Sequence, residues 1–462
     1  MPSSGRPDMG QLFGTDGVRA VPGRYPFVED VVTRLAETVA RLLLQEFSSE
    51  QAPVVVMGRD TRGSGPTLGR WLRRGFAAAG CRTVDIGVAP TPAVAYLVPR
   101  LKALAGVVVS ASHNPAQFNG IKFFTSDGYK MSPELEEAVE KVLASPGRNG
   151  RYAASSDRPG DDGSALVRRY EDFLRSTFPA CLDLSGFRLV VDCAHGAASR
   201  IAPALFEKLG AEVIALGCAP SGDNINSGCG ALAPQSMQAA VRRCHADCGV
   251  CFDGDADRAI FADEKGALLD GDALLCLAAW HLDRNGLLRS RRIVLTVMSN
   301  YGLIKFLERS GISVVTVPVG DRNVSEAIEA ENLSLGGESS GHIIFRSFSS
   351  TGDGILTALQ ILAALREMGG TLSSHRAMFK PMPQVLHNLP VERKVPLERL
   401  PKFQHLARHC EKELRGSGRV FLRYSGTELL LRIMIEGPSR SRIERMARQL
   451  AAAYLEETGV RS

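Results

Sequence analysis

The sequence has no apolar run long enough to cross a membrane, and its first residues lack the apolar core of a signal peptide. Residues 1–8 are instead polar and contain Pro, Ser and Gly. Hydrophobic residues make up 44% of the chain and charged residues 23%, which is typical of a soluble globular protein. These features predict a cytoplasmic protein with no membrane partner.

A strong charge of one sign is also missing. The net charge is +5, and the densest basic run, residues 289–292 (RSRR), contains none of the aromatic residues that stack on single-stranded nucleic acid. We therefore expect no nucleic-acid partner. A small anionic substrate suits this modest positive charge better.

The cysteines do not form a convincing metal-binding pattern. Cys244, His245, Cys248 and Cys251 are close in sequence, but Cys251 lies on an apolar run and the other two cysteines flank the predicted end of a helix. Small buried side chains explain them better than zinc ligands do. In a reducing compartment all ten cysteines are expected to be free thiols.

A chain of 462 residues is too long for one ordinary core, so two to four domains are expected. One order of elements occurs three times: apolar strand, helix, strand, helix, apolar strand, polar loop. Apolar strands separated by helices predict α/β domains with largely parallel sheets, whose ligand loops follow the strand ends. The first and last apolar strands of the repeats are residues 54–56 and 106–109, 189–191 and 250–252, and 293–295 and 333–335.

The end of the chain follows a different pattern. A polar stretch at 145–164 is interpreted as a linker, and a second break is expected near 372–383. Beyond it, helices at about 403–414 and 441–457 enclose strands at 420–422 and 430–435, which predicts a small α+β domain. The predicted domains are 1–157, 158–262, 263–372 and 373–462.

Two loops contain the residues that indicate a chemical reaction. Residues 110–115 (SASHNP) and 253–258 (DGDADR) each follow an apolar strand. Carboxylates at alternate positions can turn toward one point, where a hard divalent ion such as Mg²⁺ offsets their repulsion. A serine beside such an ion can carry a phosphoryl group, so the two loops together indicate phosphoryl transfer.

Each loop also has a simpler interpretation. The spacing of Asp253, Asp255 and Asp257 matches the start of an EF-hand, with Glu264 at the twelfth position, but the required glycine is replaced by Arg258 and the flanks read as strands. A solvated acidic turn stays open for this loop. Ser112 alone could serve only to hydrogen-bond the local backbone.

A third polar loop lies between the last two predicted strands. Residues 423–428 (RYSGTE), followed by Arg432, combine guanidinium groups, hydroxyls and a glycine amide. This set matches the needs of a phosphate dianion. A simple hairpin turn explains the segment almost as well.

Six segments in this order resemble the α-D-phosphohexomutase family, and they extend nearly from end to end of the chain. The resemblance implies three similar α/β domains and a C-terminal α+β lid domain around one central cleft. The segments are 13–19 (FGTDGVR), 58–62 (GRDTR), 110–115, 253–258, 337–342 (GESSGH) and 423–428.

The resemblance also implies roles for single residues. Ser112 would be phosphorylated in the resting enzyme, and its phosphate oxygen would hold Mg²⁺ together with the three aspartates. The implied residues around the reacting group are His113, Lys122, Arg19 and Arg258; those for the sugar hydroxyls are Glu338, Ser340 and His342; those for the distal phosphate are Arg423, Ser425, Gly426 and Thr427.

Lys122 is the candidate general acid/base, on the argument that a lysine among cations titrates below its usual pKa. A fixed cation that only neutralises phosphate is the equally weighted alternative.

Residues 223–230 (DNINSGCG) and 319–322 (VGDR), with Asp16, resemble the family branch that acts on hexosamine phosphates. The implied reaction interconverts glucosamine 6-phosphate and glucosamine 1-phosphate, for UDP-N-acetylglucosamine synthesis. A sibling mutase for glucose or mannose phosphates, a non-catalytic sugar-phosphate sensor and a metal-dependent phosphatase stay open.

Overall fold

The structure is a computed structural model. It describes residues 12–14, 16–46, 52–144, 161–425 and 429–459. Thr15, Gly426 and Thr427, as well as most of the predicted linker at 145–164, lie outside these ranges. None of the described helices combines the length and the hydropathy needed to span a membrane.

The chain divides into two compact units. Three mixed sheets belong to the first unit and a three-stranded antiparallel sheet belongs to the second. The first unit consists of Met1–Met298 and Ser313–Ala377, and the second of Ser299–Ile312 and Met378–Ser462.

The first sheet has six strands in the order β1-β5-β4-β2-β3-β6. Strands β3 and β4 flank β2 in parallel, and β5 pairs with β4 in the antiparallel direction. The elements are β1 Val18–Ala20, α1 Glu29–Leu43, β2 Val54–Arg59, α2 Gly65–Ala78, β3 Arg82–Val88, α3 Thr91–Arg100, β4 Ala105–Val109, β5 Asn119–Thr125, α4 Pro133–Ala144 and β6 Asp161–Asp162.

The second sheet repeats this arrangement, in the order β11-β10-β9-β7-β8. Strands β8 and β9 flank β7 in parallel, and β10 pairs antiparallel with β9. The elements are α5 Ser164–Ser176, β7 Arg188–Asp192, α6 Ala202–Lys208, β8 Glu212–Leu216, α7 Gln235–Cys244, β9 Cys248–Phe252, β10 Ala259–Asp263 and β11 Leu268–Leu269.

The third sheet has the same core in the order β13-β12-β14-β15, with only β15 antiparallel to its neighbour. The helix that connects β12 and β13 along the chain, α9, is grouped with the second compact unit. The elements are α8 Gly271–Arg284, β12 Arg292–Thr296, α9 Tyr301–Arg309, β13 Ser313–Val317, α10 Asp321–Ala330, β14 Leu335–Gly337, β15 Ile343–Phe345, α11 Gly354–Met368 and α12 Leu372–Arg376.

The second compact unit contains an antiparallel sheet in the order β16-β18-β17. Its α+β character agrees with the prediction, but the first strand falls outside the predicted elements. The elements are β16 Gln384–Pro390, α13 Pro401–Leu414, β17 Arg419–Tyr424, β18 Leu430–Glu436 and α14 Arg440–Thr458.

The repeat pattern thus predicted three similar α/β domains correctly. One detail of the predicted connections is wrong: Asp161 and Asp162, placed in the linker, form strand β6 and pair with β3. The break expected near 372–383 contains the division between the two compact units, at Ala377 and Met378. Helix α12 lies in the first part of this range, and a capping box at Thr371 starts it.

Both faces of the first sheet are covered. Helix α1 buries Val32, Leu35 and Val39, which recur every three or four residues, and these side chains join the same core as Val55 and Val107 of the sheet. The opposite face carries α3. A Cβ added at Gly106 would lie 2.6 Å from the Val98 side chain, so this glycine brings α3 close to β4.

Gly75 allows α1 and α2 to cross closely, and we expect Gly75→Ala to lower the free energy of unfolding by about 1–3 kcal/mol. The added Cβ would lie 2.1 Å from the carbonyl oxygen of Thr33 and 2.7 Å from Ala36 Cβ. Gly69→Ala in the same helix is the control, because its Cβ would meet only flexible side-chain ends, of Met57 at 3.4 Å and of Arg73 at 3.7 Å. Denaturant unfolding of both variants measures the difference, and equal destabilisation would contradict the proposed crossing contact.

Candidate active site

Three loops occupy the same topological position in the three repeats. Each connects a central parallel strand to the antiparallel strand beside it. We call them the serine loop (110–118), the aspartate loop (253–258) and the glutamate loop (338–342). Because the sheet repeats, the chain places its three polar loops at equivalent strand ends, as expected for ligand sites in open α/β sheets.

The three loops also touch one another. A Cβ added at Gly254 would lie 2.6 Å from the carbonyl oxygen of Ser112, so the aspartate loop packs directly on the serine loop. On the other side, Arg258 and His342 form an antiparallel bridge, and Ala259 N donates to Gly341 O at 3.1 Å. The loops therefore form one continuous site.

The serine loop holds Ser112 in an uncommon conformation. Its φ is 51°, in the left-handed region, and only 1% of the residue is exposed. Ser112 N donates to Ser110 Oγ at 2.9 Å, and Ser110 Oγ donates to Asp60 Oδ2 at 2.6 Å. These buried hydrogen bonds offset the cost of the unusual backbone at Ser112.

The Ser112 hydroxyl lies against the aspartate loop. Ser112 Oγ donates to Asp253 Oδ2 at 2.6 Å, and His113 Nδ1 lies 3.2 Å from Ser112 Oγ. Residues 141 positions apart thus meet at one oxygen. A hydroxyl that could serve as a nucleophile, a carboxylate and a ring nitrogen that can exchange a proton are together at this point.

The aspartate loop converges on a single point. Asp253, Asp255 and Asp257 are all buried, and one carboxylate oxygen from each lies within 4.8 Å of the others. Ala256 has a φ of 57°, which turns the chain between the last two aspartates. The predicted cluster of three carboxylates is therefore formed.

The three carboxylates differ in their electrostatics. Burial and the charges of Asp257 and Asp255 raise the pKa of Asp253 well above its usual value. For Asp255, burial opposes ionisation, but Lys122 and the hydroxyl of Thr91, which donates at 2.6 Å, lower the pKa. The cluster therefore holds more negative charge than its surroundings fully neutralise.

The donor set fits a hard divalent cation. Asp255 Oδ1 and Asp257 Oδ1 are buried and have no hydrogen-bond partner. A buried polar atom without a partner is costly, whereas carboxylate oxygens are the ligands that hard cations prefer. Ser112 Oγ is hydrogen-bonded to Asp253, the third carboxylate of the cluster. These carboxylate oxygens could therefore bind a metal ion.

Lys122, on β5, is surrounded by carboxylates. Its Nζ lies 2.9 Å from Asp255 Oδ2, 3.0 Å from Asp16 Oδ2 and 3.4 Å from Asp257 Oδ2. Burial opposes the charged amine, but these three groups raise the pKa of Lys122 well above its usual value. The predicted lowering of this pKa is therefore wrong, because the lysine contacts anions and not cations. This environment favours the interpretation of Lys122 as a fixed cation.

Two arginines border the same region. Arg19 pairs with Asp16, and its Nη1 donates to Asn114 Oδ1 of the serine loop at 3.3 Å. Arg258 Nε is buried without a hydrogen-bond partner and lies 3.8 Å from Asp257 Oδ1. The structure thus brings both predicted arginines to the edge of the carboxylate cluster, where they can meet an anionic ligand.

His113 is held in its neutral form. Burial, together with the charges of Arg258 and Arg19, lowers the pKa of His113 to about 4. At neutral pH its ring can therefore accept a proton at a nitrogen that lies 3.2 Å from Ser112 Oγ.

The glutamate loop presents the remaining predicted residues of the first unit. Gly320 N donates to Glu338 Oε1 at 3.0 Å, and Ser340 Oγ donates to Glu338 Oε2 at 3.4 Å. The ring nitrogens of His342 are buried without a hydrogen-bond partner, and Nε2 lies 3.6 Å from Asp321 Oδ2. Hydroxyl groups of a ligand could supply the missing partner.

Of the predicted phosphate residues of the second unit, the structure describes Arg423 and Ser425, and both lie beside Arg432. Arg423 and Arg432 are register partners on β17 and β18, and Arg432 Nη2 donates to Ser425 Oγ at 3.4 Å. Burial and the charge of Arg432 lower the pKa of Arg423. Two guanidinium groups that repel each other favour binding of an anion between them.

Two contributors to the site were not predicted from the sequence. Thr91, at the start of α3, donates to Asp255, although nothing in its local sequence indicates a ligand role. Lys130 pairs with both Asp16 and Asp321. In the sequence Asp16 and Asp321 indicate only a family branch, and no local pattern places a cation between residues so far apart.

Comparison with known proteins agrees with this geometry. Four protein-family models, all described as parts of phosphoglucomutase/phosphomannomutase, match in chain order. They are alpha/beta/alpha domain I over residues 10–148, domain II over 168–266, domain III over 270–382 and the C-terminal domain over 386–453.

The chain is also similar to named relatives over nearly its whole length. A phosphoglucosamine mutase of Chlamydia trachomatis serovar A is 43% identical over 98% of both chains. One of Bdellovibrio bacteriovorus is 40% identical over 97% of this chain and 98% of that one.

Solved structures share the fold at lower identity. A phosphoglucomutase/phosphomannomutase family protein of Burkholderia thailandensis is 23% identical with a TM-score of 0.77, covering 97% of this chain and 98% of that one. An Aspergillus fumigatus N-acetylphosphoglucosamine mutase, solved with GlcNAc-6P and magnesium, is 19% identical with a TM-score of 0.65, covering 96% of each. With four matching domains in order and relatives of 40–43% identity, the chain belongs to the phosphoglucomutase/phosphomannomutase family.

Proposed function

We propose that the protein is a phosphohexomutase that interconverts glucosamine 6-phosphate and glucosamine 1-phosphate through a phosphoserine at Ser112 and a bisphosphate intermediate. The observation that carries the proposal is the 2.6 Å hydrogen bond from Ser112 Oγ to Asp253 within the three-carboxylate cluster. The choice of glucosamine follows the names of relatives that are 40–43% identical over nearly the whole chain.

Mg²⁺ is the proposed cation. Asp253, Asp255, Asp257 and a phosphate oxygen on Ser112 would hold it, and it would supply charge neutralisation for the transferring phosphoryl group. The unpartnered oxygens of Asp255 and Asp257 support this assignment. Hard oxygen donors favour Mg²⁺ over softer metals.

Different residues of the site have different roles in the phosphoryl transfer. In the first step the bond between Ser112 Oγ and phosphorus breaks and a bond forms from phosphorus to the sugar O1, whose proton neutral His113 would accept. The protonated His113 would then give that proton to Ser112 Oγ, since its Nδ1 lies 3.2 Å from this oxygen. Arg19, Arg258 and Lys122 balance the charge on the phosphoryl oxygens.

The second step reverses the first with the other phosphate. After the bisphosphate turns around, its 6-phosphate rephosphorylates Ser112, leaving glucosamine 1-phosphate. Two opposed sugar orientations require contacts that do not depend on orientation. Glu338, Ser340 and His342 would hold sugar hydroxyls, and Arg423 with Ser425, Gly426 and Thr427 would hold the distal phosphate.

In this assignment each predicted domain has one role. Domain 1–157 would carry the nucleophile and domain 158–262 would bind the cation. Domain 263–372 would contact the sugar and domain 373–462 would bind the distal phosphate. The C-terminal domain would act as a lid that excludes water, because hydrolysis of the phosphoserine would end the cycle.

A coupled assay of the purified chain with Mg²⁺ tests the proposal, comparing glucosamine 6-phosphate with glucose and mannose 6-phosphates. We expect the highest kcat/KM for glucosamine 6-phosphate, and peptide mass mapping to find phosphate on Ser112 in part of the population. A higher kcat/KM for glucose or mannose phosphates would assign a sibling mutase. Stoichiometric release of inorganic phosphate would assign a phosphatase, and binding without turnover a sensor.

A further inference from the structure

Arg62 is buried beneath the serine loop, with 1% of the residue exposed. All the N–H donor capacity of its guanidinium group is taken up by hydrogen bonds. A guanidinium has five N–H donors in a fixed fork, and here five hydrogen bonds are made. Four of them go to backbone carbonyl oxygens of the serine loop. The acceptors are Asp60 Oδ2 at 2.9 Å, Pro115 O at 2.6 Å, Phe118 O at 2.9 Å, Ser112 O at 3.0 Å and Asn114 O at 2.7 Å.

Asn226 donates to two of the same oxygens from a different repeat. Its Nδ2 lies 2.9 Å from Ser112 O and 3.1 Å from Asn114 O. Its own backbone is fixed, because Asn226 N donates to Ala194 O at 2.9 Å and its φ is 58°. Asn226 follows β8, in the repeat that also carries the aspartate loop.

The carbonyl oxygen of the nucleophile is therefore enclosed on three sides, by Arg62, by Asn226 and by the backbone of Gly254. None of the polar groups of the two side chains is needed for the chemistry proposed above. Both side chains instead fix the peptide that carries Ser112 Oγ, and Asn226 ties that peptide to the repeat of Asp253.

We propose that Arg62 and Asn226 are positioning residues that hold Ser112 Oγ at the correct distance from the carboxylate cluster, by clamping the carbonyl oxygens of Ser112 and Asn114 from two domains. This inference rests on the proposed phosphoserine function. The inference assigns a physical role to segments 58–62 and 223–230. Neither segment has a role in the proposed reaction itself.

Arg62→Lys tests the first half of the clamp. A lysine keeps the positive charge beside Asp60 but has three donors in place of five. We expect the first-order rate constant of phosphoryl transfer from phosphoserine 112 to glucosamine 6-phosphate to fall by about 10²-fold, as a misplacement near 1 Å does, with KM within about threefold of wild type. Arg73→Lys is the control, since Arg73 makes an ion pair of similar length with Asp85, at 3.0 Å, that is partly exposed and lies outside the site.

Asn226→Gly tests the second half. Glycine accepts the φ of 58° without strain and removes only the amide donors. We expect the same rate constant to fall by about tenfold to a hundredfold, because two hydrogen bonds are lost and each shifts an equilibrium by up to roughly tenfold. Asn332→Gly is the control: Asn332 has a φ of 51° and is exposed, so the substitution is the same and the backbone conformation is matched.

Single-turnover kinetics on phosphorylated enzyme separates positioning from poor folding. A misfolded fraction lowers the amplitude of the transfer, whereas a misplaced nucleophile lowers its rate constant. Unchanged rate constants in Asn226→Gly would overturn the proposal, and so would an unchanged rate constant in Arg62→Lys. If Arg62→Lys does not fold, Asn226→Gly alone decides. Absence of transfer in the wild type would refute the proposed function instead.

Discussion

Ser112→Gly is expected to abolish mutase turnover, lowering kcat by about 10⁴-fold or more, as loss of a nucleophile does. The variant removes the hydroxyl that donates to Asp253 at 2.6 Å and leaves no other oxygen in that place. Glycine is chosen because Ser112 has a φ of 51°, which an alanine would hold only with strain. The coupled assay measures turnover, and intact-mass measurement should find the phosphate lost.

Ser290→Gly is the matched control. Ser290 is exposed and has a φ of 55°, so the same substitution is made in the same backbone conformation far from the loops of the site. It should keep full turnover and an unchanged melting temperature. Turnover above about 1% of wild type in Ser112→Gly, or active enzyme with phosphate only at another residue, would remove Ser112 from its proposed role.

The loops of the site could be predicted because their positions follow from the strands. Each apolar run reads as a buried strand, and polar residues directly after it must lie at a sheet edge. That argument placed Ser112, Asp253 and Glu338 in equivalent loops. The antiparallel strands β5, β10 and β15 were not predicted as such, because a buried strand has the same sequence pattern in either direction.

Local sequence patterns could not predict contacts between repeats; only the family resemblance implied that Ser112 meets the three aspartates. The 2.6 Å contact of Ser112 with Asp253 joins residues 141 positions apart, and no local pattern gives such a distance. Lys122 shows the same limit more clearly. Its neighbours along the chain are apolar, and only the folded structure brings three carboxylates within 3.4 Å of its amine. The sign of its pKa shift therefore depends on tertiary structure alone.

Asp253→Asn is expected to change activity and stability in opposite directions. The asparagine keeps a carbonyl oxygen for Arg258 N, which donates to Asp253 Oδ1 at 3.2 Å, and its NH₂ group can donate to Ser112 Oγ. It removes one charge of three. We expect Mg²⁺-dependent turnover to fall by about 10³-fold or more, because the cation loses an anionic ligand and the transferring group loses its neutralisation.

Stability should rise in the same variant when no divalent cation is added. Carboxylates within 4.8 Å of one another repel by about 3 kcal/mol for each pair at an effective dielectric near 20, and nearby cations offset only part of this. We therefore expect the free energy of unfolding at pH 7 to rise by about 1–3 kcal/mol. Thermal unfolding in a chelator measures this change.

The pH dependence of stability is a second test of the expected sign of this stability change. Because burial and its two neighbours raise the pKa of Asp253, the folded wild type binds this proton more tightly than the unfolded chain does. Its stability then falls as pH rises from about 4, the unfolded value, through the raised folded pKa. Asp253→Asn lacks this loss, so its advantage over wild type should grow with pH across that window.

Adding Mg²⁺ should reverse the order of the two proteins. A ligand that binds only the folded state raises stability by mass action, so the wild type should gain several degrees in melting temperature while Asp253→Asn gains little. The carboxylates that destabilise the fold would thus be the same groups that bind the cation. A variant that is less stable than wild type in chelator, yet shifts equally with Mg²⁺, would show that the three carboxylates are a structural cluster and not a cation site.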